Sequence, residues 1–139
     1  MQSNVTILTT AAKNQGGFGL YTDDAPHEFR SSDFPHLVVY DRVLTEIEPV
    51  TVDFGKYNAT WRYTLSIVNC IDGNRARGTD YTTHEALVMN YLKQLYTDST
   101  FPYFELVEPI NPREGVVGEN MVIVSEITLE RVTHYEIDS

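Results

Sequence analysis

Residues 61–71 constrain the fold more than any other stretch. Trp61, Tyr63, Leu65, Ile67 and Ile71 alternate with Arg62, Thr64, Ser66, Val68 and Cys70. Side chains on a β-strand point to opposite faces in turn, so this period places the aromatic and aliphatic set on one buried side. Asn69 is the single polar break in that set. Such a strand needs paired neighbours and a second layer over its apolar face.

The neighbouring segments supply both. Leu37, Val38, Val39 and Tyr40 form a short apolar run that fits a buried strand. A second strand is predicted over 47–54, with Pro49 at an edge or bulge because proline has no amide to donate. The turn chemistry of Gly55, Lys56, Tyr57 and Asn58 joins it to the 61–71 strand as a hairpin. Residues 72–80 read as a loop, and a helix follows from a Thr82/Glu85 capping box to about Tyr96. Its Leu87, Val88, Tyr91, Leu92 and Leu95 recur at helical spacing and form the covering stripe. Two further strands are predicted, over 104–107 and 121–129. Ser125 interrupts the apolar set of the second, and the polar tail after Val132 is expected to fray.

The N-terminal third reads differently. Val5, Leu8 and Ala12 fit one helical face, while the β-branched Val5, Thr6, Ile7, Thr9 and Thr10 disfavour a helix, so a short helix and a docking strand both fit. Residues 14–33 read as a long irregular segment, with Gly16, Gly17 and Gly19 as points of backbone freedom. The expected architecture is α+β: a mostly antiparallel sheet of about five strands, one main helix on a face, and an N-terminal arm or short helix. The chain of 139 residues suits one domain, divided here into an arm over 1–33 and a single α+β domain over 34–139.

Charge narrows the function classes. Ten Lys and Arg face twenty Asp and Glu, a formal net charge of -10. That argues against a general nucleic-acid binder or a protein that docks on anionic lipid. The start of the chain does not read as a signal peptide, no stretch is apolar enough for a membrane span, and the Asn4 and Asn58 sequons read as chance matches. Cytoplasmic synthesis is expected.

No catalytic motif is present, and no cofactor or metal is expected. Cys70 is the only cysteine, and it lies on a predicted strand, where a thiol usually packs as a small apolar group. His84 has no second histidine at zinc-helix spacing. His27 and Glu28 with Asp23, Asp24 and Asp33 offer oxygen ligands without a calcium-loop spacing, and read as a solvated acidic loop. The remaining candidates are contact residues. Phe18, Tyr21 and Phe29 stud the irregular segment, and Arg75 and Arg77 sit between a strand and a helix, where guanidinium groups could grip a neighbour's carboxylates.

Residues 34–131 together resemble the tail terminator and head–tail joining proteins of tailed bacteriophages. The resemblance runs through Phe34-Pro35 into Leu37–Tyr40, the acidic segment 45–54, the alternating strand 61–71, the glycine-containing loop, the helix 84–96, the run Phe101-Pro102-Tyr103-Phe104 and the closing strand 120–129. The glycine-rich segment before Phe34 departs from the family's short helical start. The resemblance implies a non-enzymatic virion protein of the tail or neck, assembled in the host cytoplasm. It implies a homo-oligomeric ring, typically a hexamer, that caps the tail tube and meets neck and portal-side proteins. DNA would pass through the lumen without specific binding, and an acidic lumen would let it slide. Other readings are a neck adaptor or stopper, and a small α+β ligand-binding domain or enzyme. The latter would have a pocket lined by Tyr40, Trp61, Tyr63, Tyr91 and Phe104, and a deep pocket holding His36 or Cys70 would favour it.

Overall fold

The alternating strand is the centre of the sheet. In the computed structural model, which describes residues 3–52, 55–73 and 76–136, it forms β3 (Lys56–Cys70). β3 lies between β2 (His36–Pro49) and β6 (Asn120–Glu136) and is antiparallel to both. Tyr63, Leu65 and Ile67 are buried on the side predicted. Among the described residues, the fold is α+β: two α-helices on one face of a six-stranded, mostly antiparallel sheet.

The order along the sheet is β1 (Leu20–Thr22), β2, β3, β6, β4 (Glu105–Leu106), with β5 (Arg113–Val117) also on β6. Only β1 and β2 run parallel. The helices α1 (Asn4–Gln15) and α2 (Arg77–Asp98) pack together over this sheet. Their Leu8, Ala11, Ala12, Leu87, Val88, Tyr91 and Leu95 meet Leu37, Val39, Leu65, Ile67, Ile127 and Leu129 in one core.

Several expectations need correction. The two short strands over 37–40 and 47–54 are one strand, β2, kept continuous by bulges at Tyr40 and Thr45 that absorb the breaks in alternation. Positions 53 and 54 lie outside the described residues. The 111–118 segment is not only loop. Val116 and Val117 join a hairpin onto β6 through a turn in which Gly118 has φ 60. Residues 133–136 do not fray, because β6 stays paired to β3 as far as Lys56↔Glu136.

Helix α2 begins earlier than its capping box suggested. Its N-cap is Ala76, and Thr82 lies inside the helix with its hydroxyl donating to the Gly78 carbonyl. Asp80 sits in the first turn, where a carboxylate suits the helix dipole, with Arg77 3.9 Å away.

The arm over 1–33 is also revised, since α1 belongs to the same core as the sheet. Ser3 caps it by accepting from the Thr6 amide at 3.1 Å, and Gly16 closes it with φ 85. Tyr91 donates its hydroxyl to the Leu8 carbonyl at 2.9 Å, tying α1 to α2. The following segment holds β1 and a 3-10 turn over Ser31–Asp33. Gly19 is fixed rather than free: its amide donates to the Pro35 carbonyl at 2.8 Å, and an added Cβ would lie 2.3 Å from the Ser32 carbonyl oxygen.

Candidate subunit interface

The helical layer covers the strands unequally. Beyond Val39 every residue of β2 is exposed, whereas Tyr63 and Ala59 on β3 stay buried and Asn4 at the start of α1 reaches Tyr63 and Thr133; past the body, β2, β3 and β6 run on as a three-stranded ribbon. Paired residues share a face of a sheet, so the register assigns both faces of the ribbon. The helix-side face carries Arg42, Leu44 and Ile47 opposite Tyr63, Trp61 and Ala59, with Arg131, Thr133 and Tyr135 on β6. The other face carries Asp41, Val43, Glu46 and Glu48, with Arg62, Glu130 and Val132. Val43, Leu44, Ile47, Val50, Val52 and Val132 all stand exposed in this part of the molecule.

A cleft of about 720 Å³ lies where the ribbon leaves the body. The start of α1 and the segment 98–102 form one wall, and Trp61, Arg131 and Tyr135 form the other. Local bonds set these walls firmly. Trp61 Nε1 donates to Tyr135 Oη at 3.2 Å, and Tyr135 stacks on Tyr57 with centroids 5.1 Å apart. Arg131 donates to the carbonyls of Pro102 and Thr100 and to Asn4 Oδ1, and its guanidinium lies 5.0 Å from the Phe104 ring centroid. Asn4 Nδ2 donates in turn to Tyr63 Oη at 2.9 Å. Burial pushes the Tyr63 phenol up from its ordinary value.

The contact residues named from sequence scatter over the fold. Phe18 is half-buried, edge-on to Tyr91 at 6.0 Å, so its ring serves the chain's own core. Phe29 stacks on His36 at 4.1 Å. Tyr21 is exposed on β1. Arg77 bridges to Glu114 Oε1 at 3.0 Å, joining α2 to β5. Arg75 lies outside the described residues. Of the four that are described, none lines the cleft. In the acidic loop, Asp23 pairs with Arg42 at 3.0 Å and Asp33 accepts from the Arg30 amide at 2.7 Å, so both carboxylates have local work.

The pocket expected from the aromatics does not form as a unit. Trp61 and Tyr63 line the cleft, Tyr91 is fully buried in the core, and Tyr40 is half exposed. Neither His36 nor Cys70 borders the cleft. Burial lowers the His36 imidazole to about 4, against a smaller opposing effect of Asp33, and raises the Cys70 thiol.

One constellation was missed. His84 hydrogen-bonds through Nδ1 to Asn69 Oδ1 and through Nε2 to Ser125 Oγ at 2.7 Å. The two polar breaks in the alternating strands therefore converge on one histidine. With the Asn69 oxygen accepting, Nδ1 carries the proton and Nε2 accepts from the serine hydroxyl. The connectivity is that of a nucleophile, base and orienting group, but His84 and Ser125 have no exposed surface for a substrate to reach. It is a buried polar clasp between α2 and the two central strands.

No family model and no curated protein matches the chain.

Proposed function

We propose that this chain is a structural virion subunit of a tailed bacteriophage: a ring-forming tail terminator that caps the tail tube and joins it to the head connector. The observation that carries the assembly part of this reading is the bare outer strand of the ribbon, exposed from Tyr40 to Pro49. A soluble monomer rarely leaves contiguous apolar surface bare, and such surface usually marks a protein–protein contact. Here exposed aliphatic side chains stand on both faces of the ribbon and at its tip. The phage assignment itself rests on the sequence pattern over 34–131.

The charge pattern suits a conduit. Asp41, Glu46 and Glu48 gather on the ribbon face turned away from the helices, where Arg62 is paired to Glu130 at 2.7 Å. A ring that turned this face to its lumen would repel the phosphate backbone and let DNA pass without sticking. A cryo-EM map of tails assembled with the protein tests the reading. A ring at the head-proximal end of the tube, with an acidic lumen, is the expected result. A basic lumen contradicts the conduit, and density elsewhere in the neck makes the chain an adaptor or stopper instead.

A further inference from the structure

We propose that residues 23–34 form a strap over the helix-free face of the sheet, and that a proton on His36 opens it. The register places His36 on that face. Leu37 and Val39 enter the helix-side core, so His36 and Val38 point the other way. No helix lies over them, yet His36 is only 3% exposed. Its cover is aromatic and comes from the strap. The Phe29 ring stacks on the imidazole with centroids 4.1 Å apart and planes 11° from parallel, and the Phe34 ring lies 5.0 Å away.

The base of the strap is clamped and its body is not. β1 pairs with β2, and the Gly19 amide donates to the Pro35 carbonyl at 2.8 Å. Above that base the main-chain hydrogen bonds are internal. The Asp33 amide donates to the Arg30 carbonyl and the Phe34 amide to the Ser31 carbonyl, while the Arg30 amide donates to Asp33 Oδ2. Two side-chain ties then reach the sheet. One is the exposed Asp23–Arg42 pair, which contributes little in water. The other is the Phe29–His36 stack.

His36 makes that stack sensitive to a proton. Its Nδ1 is buried without a hydrogen-bond partner among the described residues. An imidazolium donates through both ring nitrogens, so in the closed strap its Nδ1–H would lack an acceptor. Asp33 is the charged group that acts on the ring, and it offsets only part of the cost of burial. Asp23, Asp24, His27, Glu28 and Arg30 stand exposed along the strap. On β1 the paired residue is Leu20, and on β3 it is Val68, with the Cys70 thiol next on that face and held neutral by burial. The closed strap keeps His36 at about 4, whereas an open one returns it to the ordinary 6.5. Opening therefore becomes about tenfold easier for each pH unit below that value.

The test is hydrogen exchange of the full chain at pH 7.5 and pH 5, read by mass spectrometry as protection factors, which divide out the intrinsic effect of pH. Protection of the Arg30, Asp33 and Phe34 amides is expected to fall about 30-fold between the two. The core amides of α2 should stay roughly a hundredfold better protected at both, since the strap opens without unfolding the chain. His36→Phe keeps a ring under Phe29 and removes the proton site, so the fall should shrink below threefold. His84→Gln should leave it unchanged. Phe29→Ala, which spares His36, should expose the strap amides already at pH 7.5. A wild-type strap that changes less than threefold, one that exchanges only in step with α2, or a His36→Phe chain that keeps the wild-type fall overturns the proposal. Should His36→Phe fail to fold, a Phe29→Ala strap as protected as wild type at pH 7.5 does the same.

Discussion

His84 Nε2 and Ser125 Oγ lie 2.7 Å apart where neither residue exposes any surface. Each is the other's means of burying a polar atom, and Asn69 completes the set. Removing one partner strands the other without water. Ser125→Ala should therefore cost about 1–3 kcal/mol, more than the loss of one average hydrogen bond. Urea unfolding measures it. A double-mutant cycle of His84→Leu with Ser125→Ala should show coupling of about 0.5–3 kcal/mol. Simple additivity contradicts the clasp.

Stability should fall with acid over a defined window. Burial holds His84 and His36 at about 4, below the ordinary 6.5. The unfolded chain therefore binds protons first, and stability rises with pH where it does so. The contribution of the neutral imidazoles is full above about pH 6.5 and is lost as the pH drops towards 4. Each histidine accounts for at most about 3 kcal/mol across that window. Urea midpoints at pH 7.5 and pH 5 check the slope. His84→Gln should flatten it, and an unchanged slope assigns the effect elsewhere.

Arg131 is expected to hold the cleft wall in place. Its three donors reach Pro102, Thr100 and Asn4 at 2.9–3.0 Å. Lysine keeps the charge but has no planar fork. Arg131→Lys should cost about 2 kcal/mol and speed amide exchange at the start of α1. Exchange measured by mass spectrometry separates this from general softening. Uniform acceleration along the chain would count against the local role.

Gly19→Ala should destabilise by more than about 2 kcal/mol, because the new Cβ meets a backbone carbonyl rather than a yielding side chain. Limited proteolysis should then cut first within 20–33. Wild-type resistance would mean that this segment relaxes without cost.

Sequence made the sheet legible where one face is buried and the other wet, as in β3. It failed where tertiary contact overrides local chemistry. Thr82 and Glu85 have capping-box spacing, yet α2 extends a turn beyond them, where Arg77 reaches Glu114 on a distant strand. Bulges at Tyr40 and Thr45 hid the continuity of β2, since each shifts the alternation by one residue. The clasp left a usable signal. Asn69 and Ser125 each break an apolar alternation, and paired breaks on neighbouring strands point to a shared polar partner. The ribbon left none, because exposure depends on where the helices stop. Among the contact residues, Phe18 belongs to a glycine-rich segment without periodicity, yet its ring packs edge-on to Tyr91.

Sedimentation velocity of the wild-type chain over a wide concentration range tests the central claim most directly. The account predicts one discrete species of ring size, near six times the 15.8 kDa chain, with no continuous ladder of larger forms. A monomer at every concentration that also fails to assemble on tail tubes would contradict it.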